Sequence, residues 1–420
     1  MRIIFIGREY FAPRDDSWTI PTHAHGGFGY LTRQRAEALA KMGNEVHVFI
    51  PRHSYDGISN KSMVKNIKGV ELHLFRTSFN EFDYNFDYQV IRKFQRGIDL
   101  LWQYGKALKQ IKDLQPDVII SEDPDFISYK STKLGFPHLL DFQDPFDDID
   151  FMVMTRAISD FFSETETRGF LTESEVREEN YRKAGSYYST GDYLKRYFGK
   201  YVSSEPRENL VTEANFISEK VKHIFDLSFS PGVIRNPVDV PSGPFKKSDR
   251  PSVLFLARWD MQKRPDIALE VAKNTPEYDF YFVGTSSLYP KLIENQKKLE
   301  KAYSKFSNIH ILRFTTDETK REILSKSWVL LNTSVREGLP VSFLEAGSYE
   351  TAILSSVDPD GYSSLFGKYV KNGDFKTSLR SIIESEECFE MGRKARSYMI
   401  AHHETSHVIK ELLSYIEKLV

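Results

Sequence analysis

Glu337 and Glu345 stand eight positions apart in residues 336–347, REGLPVSFLEAG, on either side of Gly338, Pro340 and a short apolar run. Proline suits the first turn of a helix, because its missing N–H is no loss there. Residues 341–346 then predict the helix itself, so Glu337 falls on the entering loop and Glu345 a little over one turn inside. Between them lies a helix N-terminus, whose free N–H groups and dipole favour an anion. A ligand with hydroxyls at each end and phosphates in the middle fits this arrangement; a nucleotide-sugar is such a ligand. Two glutamates at this spacing also occur by chance at helix starts. Weight comes from residues 325–333, SKSWVLLNT, which supply a strand candidate just before them. Ligands of open α/β sheets bind at the carboxyl ends of strands.

Other residues offer matching chemistry. Arg258 and Lys263, in FLARWDMQKRPD, follow a predicted strand at 253–257. Two cations at a strand end could neutralise a leaving diphosphate, placing charge where charge develops. The bland alternative is a solvated basic loop. Gly26, Gly27 and Gly29 in HGGFGY would let backbone approach a diphosphate closely, although the spacing is not GxGxxG. A flexible turn is the competing explanation. Residues 141–150, DFQDPFDDID, carry five aspartates without clean metal-ligand spacing, and Asp144 is the one next to a strand end. VIRNPVDV at 233–240, with Asn236 and Asp239, reads as a structural turn. His402, His403 and His407 read as an exposed helix face rather than a metal site.

These side chains need a scaffold, and the chain alternates strand and helix patterns throughout. Strands are predicted at 2–6, 45–50, 70–75, 117–121, 138–142, 187–190, 209–212 and 233–235. Helices are predicted at 30–42 and 87–114, with 150–183 mixed and mainly helical. The helix at 87–114 interleaves basic and apolar residues; a packing helix is favoured over a membrane-surface or acceptor-binding one. Residues 240–252, VPSGPFKKSDRPS, lack apolar periodicity and read as a linker. Alternation then resumes, with strands at 253–257, 279–283, 308–314 and 328–332, helices at 266–273, 291–306 and 317–326, and a helical end at 391–420. Such alternation predicts βαβ units and parallel sheets. The expected organisation is a first Rossmann-like domain at 1–240, a linker at 241–252, a second at 253–400, and a last helix at 401–420.

A chain of 420 residues accommodates two domains. Its 57 basic and 59 acidic residues give a formal charge of −2, so there is no bulk attraction to nucleic acid. One cysteine, Cys388, excludes an intrachain disulfide and a cysteine-based metal site. No signal peptide or spanning segment is evident. A cytoplasmic location is expected, with peripheral contact at the inner membrane face and the oligomeric state left open.

Together, GGFGYLTRQRAEALAKMGNEVHVFIP, VIRNPVDV, ARWDMQKRPD, DFYFVG, REGLPVSFLEAGSYETAIL and GRKARSYM resemble, in content and order, the retaining glycosyltransferases of family 4, of the GT-B fold. The fold class implied is α/β, two doubly wound Rossmann-like domains facing a cleft. The resemblance implies that Arg258 and Lys263 hold the donor diphosphate, that Glu337 contacts the donor sugar and that Glu345 contacts the ribose hydroxyls. Gly26 and Gly27 would lie against the phosphates from the opposite domain. Gly284, Gly338, Leu339 and Pro340 complete the donor-binding set, and Asp144 joins Arg258, Lys263 and Glu337 as catalytic. The final helix would cross back onto the first domain. Many members carry a His-containing pair where this chain has Gln143-Asp144; glutamine cannot act as acid or base, so its role there would be hydrogen bonding. After the second glutamate, GSYETAIL replaces the usual small-residue stretch with Gly-x-Pro. The expected activity moves a hexose-type sugar from a nucleoside-diphosphate donor to an acceptor hydroxyl of a glycan, lipid or small molecule, with no cofactor and no metal. A GT-B epimerase, a phosphorylase and a non-catalytic sugar-nucleotide-binding subunit are the alternatives.

Overall fold

The computed structural model describes residues 1–7, 10, 27–52, 63–76, 89–124, 126–145, 147, 149–150, 153–154, 156, 160, 190–204, 207–286, 290–313 and 315–420. Two sheets organise them. The first holds β1 (Arg2–Ile6), β2 (Glu45–Arg52), β3 (Met63–Ile67), β4 (Val70–Arg76), β5 (Val118–Glu122), β6 (His138–Phe142), β7 (Leu210–Thr212) and β8 (Gly232–Val233). Their order is β3-β4-β2-β1-β5-β6-β7-β8, parallel except for the β3–β4 hairpin. The second holds β9 (Ser252–Leu256), β10 (Asp279–Val283), β11 (Ile309–Leu312), β12 (Val329–Asn332), β13 (Ala352–Ser355) and β14 (Gly367–Tyr369). Their order is β11-β10-β9-β12-β13-β14, parallel throughout. Parallel strands need both faces covered, which is why runs such as VIISE and HLLDF are buried along their whole length.

Strand order reverses between β1 and β5 in the first sheet, and between β9 and β12 in the second. A crevice opens outside the carboxyl ends of the strands at such switch points. The loops leaving β9 and β12 carry Arg258, Lys263 and Glu337. The sheet topology therefore brings residues from distant parts of the sequence to one place.

Sequence periodicity missed several elements. The edge strand β3, MVKNI, carries too little apolar alternation to stand out. Strands β13 and β14 are four and three residues long, too short for a periodic signal. The helix predicted at 30–42 spans Gly27–Lys41. Of the strand predicted at 187–190, residues 187–189 lie outside the described residues and Thr190 opens helix Thr190–Ser204; nearly all of the helical stretch 150–183 also lies outside them.

Residues 241–251 form no helix or strand but are held against the second sheet's layer. Lys247 Nζ donates to the carbonyls of Ser327 (2.7 Å) and Tyr349 (2.8 Å), and Trp328 Nε1 donates to the carbonyl of Ser248 (2.9 Å). The helical end at 391–420 is two helices, Glu387–His402 and Thr405–Leu419, broken at His403 and Glu404. The second of these buries Val408, Ile409, Leu412 and Ile416 in the core beneath β1 and β2, so it lies on the first sheet. At the break, His403 is fully buried. Its Nδ1 meets the carbonyl of Asn236 at 2.8 Å, and its ring stands edge-on to Tyr362. The expectation of an exposed face fails there. A break in the helix turns that histidine inward, while His407 stays exposed.

No described helix is long and apolar enough to cross a membrane. Helix Gln89–Leu114 buries Ala107 and Ile111 and leaves Trp102 exposed.

Candidate active site

The loop after β9 is shaped by Asp260, whose Oδ1 accepts the main-chain N–H groups of Gln262 and Lys263, each at 3.0 Å. The loop after β12 is laced to it. Val335 N donates to the Gln262 carbonyl (2.9 Å), Gln262 Nε2 to the Arg336 carbonyl (2.9 Å), and Thr333 Oγ1 to the carbonyls of Lys263 and Arg264 (2.9 and 2.8 Å). These bonds carry Lys263 to Glu337. Lys263 Nζ stands 2.6 Å from Oε1 and 2.5 Å from Oε2 of Glu337, and Asn332 Nδ2 reaches Oε1 at 3.3 Å. Arg258, on the same loop as Lys263 and one-third exposed, is 3.3 Å from Asp260. Gly284, directly after β10, is at φ +138°, and a Cβ there would come within 2.0 Å of the Ala257 carbonyl oxygen. Only glycine lets this strand end pass so close to the start of the cationic loop.

Helix Val341–Ser348 follows Glu337. Pro340 is its capping residue (φ −63°, ψ 124°) rather than its first helical one, because extended backbone there turns the chain into the helix. Glu345 is 2.7 Å from Lys320 of helix Asp317–Lys326. Burial is the largest single influence on Lys320 and pulls it towards neutrality, but the charge and hydrogen bond of Glu345, with Asp317 and Tyr349, together outweigh it and the net shift is upward. From the first sheet's side, the Tyr30 ring lies 5.5 Å from Lys320 Nζ. Burial first, and then Glu345, raise the Tyr30 hydroxyl well above its ordinary value.

Two contacts across the cleft involve residues to which sequence reasoning gave no role. Glu213, directly after β7, is buried and accepts the Leu339 N–H at 2.8 Å. Its other oxygen takes the Asn236 amide, so the turn read as structural also joins this network. Burial, despite these two donors, holds the Glu213 carboxyl well above its usual range. Arg336 is likewise buried and pairs with Asp144 (2.6 Å) and Asp150 (2.8 Å) of the first half. Asp144 therefore points at a guanidinium in this state. A Cβ on Gly338 would stand 2.9 Å from Glu213 Oε1 and 3.3 Å from Asp144 Oδ1, so glycine allows the two halves to meet. The local hints were a carboxylate at a strand end and an arginine next to Glu337. Their partners lie 126 and 192 positions away in sequence, where no local pattern reaches.

The structure thus gathers Lys263, Arg258 and Glu337 on two interlaced loops, with Gly338, Leu339 and Pro340 leading to the helix that bears Glu345. Gly27 opens helix Gly27–Lys41; Gly26 lies outside the described residues. An open groove of about 640 Å³, lined by Phe366, Arg393, Tyr398 and His402, shares none of these residues.

Residues 241–396, which contain every one of these second-half groups, match the family model of glycosyl transferases group 1. This part of the chain is similar to a glycosyl transferases group 1 domain. Among curated proteins, none matches the sequence. Similar solved structures cover the whole chain. Sucrose-phosphate synthase from Thermosynechococcus elongatus aligns with a TM-score of 0.68 at 14% identity, over 100% of this chain and 98% of that one. An E. coli trehalose-6-phosphate protein bound with UDP-2-fluoro glucose aligns at 0.62 and 12%, over 100% of both. Anabaena HepE in complex with UDP and glucose aligns at 0.59 and 12%, over 99% of both. The two facing doubly wound sheets are the GT-B fold, with the group 1 match in its second half.

Proposed function

We propose that the protein is a retaining glycosyltransferase of family 4, moving a hexose-type sugar from a nucleoside-diphosphate donor to an acceptor hydroxyl. The observation that carries this reading is the meeting of Lys263 and Glu337 at the β9–β12 switch point, with Arg258 on the same loop as Lys263. Cations at that point match a diphosphate, and a carboxylate held by one of them matches a sugar hydroxyl. The UDP-2-fluoro glucose bound to the E. coli protein and the UDP and glucose bound to the Anabaena protein support the same choice of donor.

In this reading the Lys263–Glu337 pair opens when donor binds. Arg258 and Lys263 then face the diphosphate, Glu337 accepts from a hydroxyl of the transferred sugar, and Glu345 accepts from the ribose. The amides of Gly338, Leu339 and the helix entry aim at the phosphates, which requires Glu213 to release the Leu339 N–H. Gly26, Gly27 and Gly284 allow backbone and ligand to approach. The bond from the anomeric carbon to the phosphate oxygen breaks as the bond to the acceptor oxygen forms on the same face. The leaving diphosphate takes the acceptor's proton. Built-in cations supply the charge stabilisation, so the proposed transfer proceeds without a catalytic metal. Asp144 serves the acceptor side once Arg336 lets it go.

The test is incubation with a panel of nucleotide-sugars, with and without candidate hydroxyl acceptors, following free nucleoside diphosphate. Acceptor-dependent release supports transfer. Acceptor-independent isomerisation or release indicates an epimerase, phosphate-dependent turnover a phosphorylase, and binding without turnover a sensor subunit.

A further inference from the structure

The largest unassigned chemistry lies at the opposite ends of the first sheet's strands. Adjacent parallel strands β2 and β4 place His47 beside Glu71 and Phe49 beside His73. Because alternate residues share a face, His47, Glu71 and His73 all project to the side covered by helix Gln89–Leu114. His47 and His73 are buried and Glu71 is partly so. Among the described residues, one group brings three such ligand atoms within 4.8 Å of each other, and this is it. His47 Nδ1 is 3.0 Å from His73 Nε2 and 3.5 Å from Glu71 Oε1, and His73 Nε2 is 3.1 Å from Glu71 Oε1.

We propose that His47, Glu71 and His73 bind one divalent transition-metal ion, zinc by preference, as a clamp between β2 and β4. Zinc bonds of about 2.0–2.2 Å set ligand atoms roughly 2.9–3.5 Å apart in tetrahedral or octahedral arrangements, and the three separations fall in that range. At His47 the supporting groups fit as well. His47 turns its Nε2 to Glu45 at 3.0 Å, and Glu45 is held at 2.8 Å by Arg2. A carboxylate on the outer nitrogen is the usual partner of a metal-binding imidazole, and it leaves Nδ1 as the lone-pair donor. The His73 ring is stacked on Phe49, which fixes its plane. With the His47 proton given to Glu45, the single His73 Nε2 proton would face two acceptors, His47 Nδ1 and Glu71. A cation satisfies all three lone pairs at once. The partly exposed side of Glu71 leaves room for water as a further ligand. The site is remote from the cleft, so its role is to tie the β3–β4 hairpin to the parallel sheet, not to take part in transfer.

The full-length protein is stripped with chelator, loaded with zinc chloride and dialysed, and its zinc is counted by mass spectrometry. Zinc affinity is measured by calorimetric titration and Tm with and without the ion. The expected result is one zinc retained per chain and a raised Tm. Glu71→Gln should bind at least tenfold more weakly, with binding unchanged in His407→Ala, an exposed histidine elsewhere. Cobalt loading of the wild type should give visible absorption that Glu71→Gln loses. Failure to retain zinc, or equal affinity in Glu71→Gln, would overturn the assignment. Neither outcome depends on transfer activity.

Discussion

The ammonium of Lys263 lies 2.6 and 2.5 Å from the two carboxylate oxygens of Glu337, 74 positions away in sequence. In the proposed reading, each holds the other until a ligand supplies a better partner. If Lys263 faces the leaving diphosphate as proposed, Lys263→Ala removes that cation, and kcat should fall by about 10²–10³-fold. Glu337 keeps Asn332 as a neighbour, so Tm should fall only by a few degrees. Steady-state kinetics beside a thermal melt checks this; near-normal turnover would remove Lys263 from the machinery.

Gly338→Ala tests the closed contact between the halves. The new methyl would press on Glu213 and Asp144, so the variant should fold but close poorly. Its kcat/KM should drop about tenfold or more. Adding Glu213→Ala removes the nearest obstacle and should recover part of the loss, a coupling that independent sites would not show.

Arg336→Ala leaves Asp144 and Asp150 without their buried guanidinium. Removing one partner from a buried ion pair costs roughly 3–5 kcal/mol. Lys220, 2.6 Å from Asp150, offsets part of that. Denaturant unfolding should show a loss of at least about 2 kcal/mol.

Asp360 accepts the main-chain N–H groups of Asn215 (2.7 Å) and Phe216 (2.9 Å), capping helix Asn215–Phe225 from the other half of the molecule. Ala214 has no side chain to do this itself. Asp360→Ala should cost about 1 kcal/mol, as lost caps do, readable as a lower urea midpoint.

Acid stability should report the buried histidines. Burial pushes His138 down to about 3, and burial chiefly pushes His403 down to about 4. Unfolded histidines titrate near 6.5. Between those values the unfolded chain binds more protons than the folded one, so stability falls as pH drops from about 6.5. Raised carboxyls such as Glu213 act in the opposite sense, so a single-site variant is the measure. His138→Gln should flatten the decline by up to ~1.4 kcal/mol per pH unit between about pH 6 and 4. Parallel stability curves would contradict the buried neutral ring.

Much of the architecture was legible because parallel strands buried on both faces print as apolar runs. RIIFI and DFYFV match their strands end to end. The short strands GKY and AILS were missed, whereas VLLN, equally short, was read. The second-half charges were legible because each sits at a strand end within one local segment. Glu213 and Arg336 were not, because what they do depends on groups across the cleft. His403 was misjudged because nothing in HHETSH shows that the helix breaks there and turns one imidazole inward.

The central claim is that Arg258, Lys263 and the loop before helix Val341–Ser348 bind a pyrophosphate. Calorimetric titration of the wild type, Arg258→Ala and Lys263→Ala with a panel of nucleoside diphosphates tests it most directly. The account predicts that at least one nucleoside diphosphate binds the wild type and binds each variant at least tenfold more weakly. Binding of equal strength in all three proteins, or none in the wild type, would contradict it.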